Sequence, residues 1–145
     1  DSLPMPRADF YLIDKPRFRE QPLLLVCELA KRGYAANLSI LVLARDAAQA
    51  EAIDDLMWSF DPDEYLPHQI AGMDEGDDDT PILISTPDMD IPARPLLINL
   101  RDAAPAGNFD RVLEVVPADP EARGPLRERW KQYQALGYAL NKHDM

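Results

Sequence analysis

The chain has 145 residues, and its 26 acidic and 15 basic residues give it a formal net charge of -11. A chain of this length fits one domain and buries roughly two-thirds of its unfolded surface, enough for a core without disulfides or metal ions. The acidic excess argues against broad contact with phosphate backbones, which needs many Lys and Arg contacts, so we expect any association with DNA to be indirect.

The first half of the chain alternates between strand and helix patterns. A buried strand is predicted over residues 10–13, followed by a helix from Pro22 to about Gly33. A second buried strand is predicted over residues 38–44, and Asp46 then caps a second helix. The residues near one face of this second helix are Ala47, Ala50, Ile53, Met57 and Trp58.

The second half is predicted to contain three more strands, over residues 82–84, 96–100 and 112–116, before a helical region that begins at Asp119 and Pro120. Strands that alternate with helices predict an α/β fold, in which a single three-layer domain has a central sheet flanked by helices. Because little helix separates the last three strands, we expect a mixed, partly parallel sheet.

Location and boundaries follow from what the sequence lacks. The longest apolar runs, residues 23–27 and 40–44, are far shorter than the roughly 20 residues that cross a membrane. No signal-peptide pattern opens the chain, so we expect a cytoplasmic protein with no membrane association. Residues 1–4 precede Met5 and are interpreted as a cloning remnant, which gives a predicted domain over residues 5–145.

The sequence holds few signs of catalytic chemistry. It has no Gly-rich phosphate loop and no nucleophile elbow, and neither His68 nor His143 has the neighbours of a zinc site. Cys27 lies among apolar residues, where a buried inert thiol is expected. These motifs therefore specify no reaction, and we expect no metal and no cofactor.

Two acidic features leave alternatives open. Asp14 and Asp46 each follow a predicted strand and could together hold Mg²⁺ in a small α/β enzyme, or they could be a turn residue and a helix cap. The run over residues 74–79 is interpreted as a solvated loop, because it lacks the alternating ligands and distal Glu of a calcium loop.

Aromatic residues and prolines follow the second predicted helix, in the segment from Trp58 to His68. Trp58 and Tyr65 on such a loop are typical of a protein interface, since they bury much area with few rotatable bonds. The alternative is that these rings close over the edge of the core.

The segment from Arg123 to Lys142 is basic, with five cations and the single acid Glu128. Arg127 and Lys131 share a helix face, beside an apolar stripe of Leu126, Trp130, Tyr133, Gly137 and Leu140. A groove with apolar and aromatic walls and a cationic rim suits a peptide that ends in a large apolar side chain and a free carboxylate. Arginine can bind that carboxylate with two hydrogen bonds. The alternative is an ordinary amphipathic helix with a solvated basic face.

Six segments occur in a characteristic order: Phe10-Tyr-Leu-Ile-Asp14, Leu25-Val-Cys-Glu-Leu-Ala30, Trp58 with Tyr65-Leu-Pro-His-Gln-Ile-Ala-Gly72, Leu97-Ile-Asn-Leu100, Glu114-Val-Val-Pro117, and Arg127-Glu-Arg-Trp-Lys-Gln-Tyr133 with Gly137. This series resembles the chi subunit of the bacterial DNA polymerase III holoenzyme. The resemblance implies a non-catalytic accessory subunit with an α/β fold. Its implied partners are the psi subunit of the clamp loader and the acidic C-terminal tail of single-stranded DNA-binding protein.

The resemblance also implies a role for each of the two segments. The psi-binding residues would be Trp58, Tyr65 and Pro67, and the tail-binding residues would be Val116, Arg123, Arg127, Trp130 and Lys131. The tail ends in Pro-Phe after a run of aspartates. Its Phe ring would meet Val116 and Trp130, its terminal carboxylate Arg127 or Lys131, and its upstream aspartates Arg123.

Three departures from the family pattern affect the second segment. Gly124 and Pro125 are expected to break or restart the helix before Arg127, which would move Arg123 off the face of Arg127 and Lys131. Gln134 stands where some relatives carry a cation, so a weaker basic rim is expected. Trp130 replaces a tyrosine, which keeps an aromatic wall but changes its polar edge.

Overall fold

A computed structural model describes residues 6–61, 63, 65–72, 76–105 and 109–145. Its strands are β1 Arg7–Leu12, β2 Ile40–Leu43, β3 His68–Ile70, β4 Ile82–Ser85, β5 Leu96–Asn99, β6 Arg111–Val116 and β7 Ala139–Asp144. Its α-helices are α1 Pro16–Glu20, α2 Pro22–Ala35, α3 Ala47–Ser59 and α4 Arg123–Ala135. Short 3₁₀ turns lie at Asp77–Asp79 and Pro120–Ala122.

The seven strands form one sheet in the order β3-β4-β2-β5-β6-β1-β7, and every neighbouring pair is parallel. The predicted α/β fold is therefore confirmed, but the prediction of a mixed sheet is wrong. Residues 86–95 join β4 to β5 without a helix. Ten extended residues span up to about 33 Å, so a loop returns the chain past a four-residue strand as well as a helix would.

The helices cover both faces of the sheet, and side-chain alternation along the strands separates two apolar clusters. Tyr11 points from β1 toward the face of α1, α2 and α3. Ala8 and Phe10 point toward the face of α4. The sheet therefore lies between two apolar layers, as predicted.

Helix α2 contacts the sheet closely at Gly33. A Cβ atom at this position would lie 2.7 Å from side-chain carbons of both Ile40 and Leu96. The predicted end of the helix at Gly33 is wrong, because the helix continues to Ala35. Gly33 instead allows the helix to pack closely on the sheet. Cys27 on the same helix is buried, and burial raises the pKa of its thiol to about 12, as expected for an inert cysteine.

Three elements went unpredicted. Helix α1 and strand β3 have only five and three residues, too few for a clear periodic pattern. Strand β7 forms one edge of the sheet and is mostly exposed, so it lacks the apolar alternation of a core strand. In the part of the chain that the structure describes, we find no helix long and apolar enough to span a bilayer.

Candidate functional site

A cavity of about 680 Å³ lies between α4 and strands β6, β1 and β7. The side chains around it come from distant parts of the chain: Phe10, Leu12, Ile13, Val116, Pro117, Ala118, Asp119, Arg123, Leu126, Arg127, Trp130, Lys131, Gln134 and Lys142. All five residues predicted to bind an acidic tail are among them. We call this feature the α4 cavity.

The start of α4 explains why Arg123 belongs to the cavity. The 3₁₀ turn at Pro120–Ala122 leads directly into the helix, which begins at Arg123. Pro125 is the third helical residue, and a first-turn residue has no N–H partner to lose. The expected departure of Arg123 from the basic face is therefore wrong. Arg123, Arg127 and Lys131, spaced by four residues, all line one cavity.

The cavity is apolar where the helix meets the sheet. Phe10 is fully buried on β1, and its ring centroid lies 5.1 Å from that of Trp130 and 5.9 Å from that of Tyr133. Trp130 is half-buried, so one side of its indole remains available to the cavity. Leu12 and Val116, which are paired across β1 and β6, extend this apolar surface. Sequence reasoning found Val116 but missed the β1 residues, although alternation along that strand indicated which side chains share a face.

A buried polar network holds α4 against β6. Arg129 Nε donates to Glu114 Oε1 at 2.9 Å, and Tyr133 Oη and Asn99 Nδ2 donate to Glu114 Oε2 at 2.6 and 2.8 Å. Three donors at one carboxyl group suit its ionised form. Burial nevertheless raises the pKa of Glu114, and the charge of Arg129 opposes that rise. Arg129, counted in the sequence among the basic residues of this segment, is therefore a buried structural cation.

Four cations and one acid, Asp119, line the cavity. Arg123, Arg127 and Lys131 come from α4, and Lys142 comes from β7. None of the four forms an ion pair with another residue in the described part of the chain. Sequence reasoning missed Lys142 as a site residue, because its place at the cavity depends on the pairing of β7 with β1.

The second predicted site is an exposed aromatic surface at the end of α3. Trp58 and Tyr65 are 60% and 59% exposed, and their rings stack with centroids 5.3 Å apart. The buried residues of α3 are Ala50, Ile53 and Met57, and Trp58 lies outside this buried set. These two rings do not close over the core. Pro67 beside them is half-buried.

The ring of His68 packs against the two exposed rings. It is buried, and its ring centroid lies 4.9 Å from that of Trp58. His68 Nδ1 lies 2.6 Å from the Leu66 carbonyl oxygen and therefore donates to it. His68 Nε2 lies 3.1 Å from Asp54 Oδ1 but forms no hydrogen bond with the described residues. We call Trp58, Tyr65, Pro67 and His68 the aromatic surface.

The two carboxylates proposed for Mg²⁺ do not come together. Asp46 caps α3 by accepting a hydrogen bond from the Gln49 N–H at 2.8 Å, as the alternative interpretation predicted. Asp14 is exposed, and its Oδ1 lies 3.6 Å from Arg19 Nη2. Their strands β1 and β2 are separated by β5 and β6, a distance of about 14 Å at ordinary strand spacing.

The remaining candidates have structural contacts. Asp77 accepts hydrogen bonds from Gln69 Nε2 and the Gly72 N–H, and residues 74 and 75 of the acidic run lie outside the described residues. His143 Nε2 lies 3.1 Å from Asp9 Oδ1, and its ring stacks on Tyr11. The described residues contain no group of three or more His, Cys, Asp or Glu side chains that could hold a metal ion.

Comparison with known proteins gives a consistent result. The sequence profile of the family described as "DNA polymerase III chi subunit, HolC" matches residues 5–141. The chain is 33% identical to DNA polymerase III subunit chi of Pseudomonas aeruginosa over 143 residues, which cover 96% of each chain. It is 31% identical to the Escherichia coli protein of the same description over 147 residues, covering 94% of this chain and 97% of the relative. For the Haemophilus influenzae protein, also described as subunit chi, the identity is 32% over 124 residues, which cover 83% of this chain and 85% of the relative.

Proposed function

The chain belongs to the DNA polymerase III chi subunit family, and we propose that it is a non-catalytic adaptor of the replicative polymerase. In this proposal the α4 cavity binds the acidic C-terminal tail of single-stranded DNA-binding protein. The aromatic surface binds the psi subunit of the clamp loader. The protein would act in the cytoplasm and would reach DNA only through these partners.

The observation that carries the tail-binding proposal is one cavity that combines an apolar surface with four cations, none of which forms an ion pair with the described residues. An acidic peptide that ends in Pro-Phe offers a ring, a terminal carboxylate and upstream aspartates. Trp130 and Val116 suit the ring, while Arg127 and Lys131 suit the carboxylate. Arg123, two helical turns before Trp130, suits the upstream acids.

The expected affinity is modest. A well-made hydrogen bond to a charged group contributes roughly 1.5 to 3 kcal/mol. Two or three such bonds and one buried ring are partly offset by the cost of ordering a flexible peptide. Micromolar binding, about -8 kcal/mol, is therefore expected.

Calorimetric titration with a nine-residue acidic peptide ending in Pro-Phe tests the tail site. Arg127→Ala and Trp130→Ala should each weaken binding by at least about tenfold, because they remove a carboxylate donor and the aromatic wall. Arg45→Ala, which removes an exposed cation outside the cavity, is the matched control. Unchanged binding by both cavity variants would refute the tail site.

The psi-binding proposal is supported by the exposure of two stacked rings held above a buried histidine. Large rigid aromatic side chains are typical of interface hot spots, and an unoccupied surface would gain little from exposing two of them. Co-purification with psi should be lost in Trp58→Ala and retained in Arg127→Ala. Retention of psi by Trp58→Ala would contradict this assignment.

A further inference from the structure

We propose that Lys142 is a further binding residue of the α4 cavity and that its ammonium group contacts the terminal carboxylate of the bound acidic peptide. The inference rests on the proposed tail-binding function and specifies which group of the ligand meets which wall of the cavity. It adds a cation from the sheet to those of the helix.

The position of Lys142 follows from strand pairing. On the parallel strands β1 and β7, Lys142 lies directly beside Phe10. Paired residues on neighbouring strands point to the same face of a sheet, and their strands lie about 4.8 Å apart. Because Phe10 points toward α4, the Lys142 side chain also leaves the sheet on that face and lines the cavity. It is exposed and has no ion pair with the described residues.

The apolar contact between Phe10 and Trp130 sets where a terminal carboxylate can lie. In a C-terminal residue, the carboxylate and the side chain are attached to the same Cα atom. A terminal ring packed on Trp130 therefore brings its carboxylate close to this pair of residues. Lys142 flanks Phe10 on β7, and Lys131 follows Trp130 on α4, so one cation stands on each side.

The opposite end of the cavity is less suited to this carboxylate. Arg123 precedes Trp130 by seven residues, about 10 Å along the helix axis. Asp119, the acid that lines the cavity, precedes Arg123 at the same end and would repel an anion there. The end formed by Lys131 and Lys142 carries cations from two separate elements. The carboxylate is therefore held between helix and sheet, with Arg123 left for the upstream aspartates.

A pair of peptides distinguishes the group that Lys142 contacts. The nine-residue acidic Pro-Phe peptide is prepared with a free C-terminal carboxylate and, separately, with a C-terminal amide. Both are titrated by calorimetry, at one fixed ionic strength, into the native protein, Lys142→Gln and Lys142→Arg. Arg45→Gln makes the same change in net charge at an exposed position outside the cavity and is the control.

Lys142→Gln should weaken the free-acid peptide by about three- to tenfold and leave the affinity for the amide unchanged. Lys142→Arg should bind the free acid like the native protein, because it retains the charge. Arg45→Gln should bind both peptides normally. Thermal melting of Lys142→Gln should match that of the native protein, since the substituted side chain is exposed on an edge strand.

Equal binding of the free acid by Lys142→Gln and the native protein would overturn the inference. So would an equal loss for both peptides, which would assign Lys142 to the upstream aspartates. In either case Arg127→Ala and Trp130→Ala would still weaken binding if the proposed function holds. Failure of the native protein to bind either peptide would refute the tail-binding function and this inference together.

Discussion

The α4 cavity and the aromatic surface are built in opposite ways. The cavity is lined by four cations, and the helix that forms one wall is held to β6 by a buried ion pair, Arg129 with Glu114. The aromatic surface projects two rings into solvent above a single buried histidine, in an acidic part of the chain. One site depends on charge and enclosure, and the other depends on exposed apolar area.

This difference indicates what each site can discriminate. Charge complementarity selects an acidic ligand and is screened by salt, whereas apolar contact is not directional and depends on the area buried. We therefore expect the cavity to select a short acidic peptide and the aromatic surface to select a partner with apolar area of its own.

The largest expected effect is on stability, at the buried ion pair that holds α4 against β6. Arg129→Met should lower the free energy of unfolding by about 3 to 5 kcal/mol, because it leaves the buried carboxylate of Glu114 without its ionic partner. Urea denaturation measures the change. Arg123→Met, which removes an exposed cation of the same helix, should change stability by less than about 0.5 kcal/mol.

The double variant Arg129→Met with Glu114→Gln provides an internal check. If the loss arises from an unpaired buried charge, removing that charge should restore part of the stability. No recovery in the double variant would show that packing around Arg129, and not its ion pair with Glu114, holds α4 in place.

The two tryptophans offer a direct comparison between the sites. Trp130→Ala should cost about 2 kcal/mol of stability, because the indole is half-buried against Phe10. Trp58→Ala should cost less than about 1 kcal/mol, since that ring is mostly exposed. Denaturation by urea, followed by circular dichroism, gives both values. A larger loss for Trp58→Ala would mean that the aromatic surface is part of the structural framework.

The contact between strands β1 and β7 depends on pH. Asp9 on β1 accepts hydrogen bonds from Arg7 and Arg111, and its Oδ1 lies 3.1 Å from His143 on β7. Burial alone would raise the pKa of Asp9, but the bonds to His143, Arg111 and Arg7 outweigh it and hold the pKa below its ordinary value of 3.8. The ionised form therefore stabilises the fold above pH 3.8, and this contribution is lost as the pH falls through the lowered pKa.

Asp9→Asn should accordingly be less stable than the native protein at neutral pH, by about 1 to 3 kcal/mol. The difference should shrink as the pH falls below 3.8. Urea denaturation across the pH series measures it. A difference that stays constant down to the lowest pH would assign the loss to shape and not to charge.

Features that depend on local sequence could be predicted. Asp46 is a strong helix cap because its carboxylate can accept from the first-turn N–H groups, and it needs no tertiary context. The spacing of Arg127 and Lys131 places them on one face of any helix that contains both. The exposed aromatics could be identified because Trp58 and Tyr65 stand in a segment rich in prolines and acids.

The parts that sequence reasoning missed depend on strand pairing. Arg129 is charged like its neighbours, and only the position of Glu114 on β6 shows that it is buried. Lys142 reaches the cavity because β7 pairs with β1, and the polar sequence of β7 gives no strand signal. The prediction that the sheet contains antiparallel strands was also wrong. A connection without a helix is typical of a hairpin, but residues 86–95 form a crossover between the parallel strands β4 and β5.

The smallest expected effect separates the two sites by their response to salt. Raising the salt concentration from about 0.05 M to about 0.5 M shortens the screening length several-fold, so the acidic peptide should bind the α4 cavity about three- to tenfold more weakly. Binding of psi to the aromatic surface should change by less than about twofold, because two neutral rings carry the contact. Calorimetry at matched temperatures gives both slopes. Lys142→Gln should make binding of the peptide depend less on salt, because Lys142 lines the cavity. Arg45→Gln should leave the salt dependence unchanged, because Arg45 lies outside the cavity. Equal salt slopes for the two partners would mean that the acidic residues around Trp58 take part in binding psi, and the contrast between a charged site and an apolar site would no longer hold.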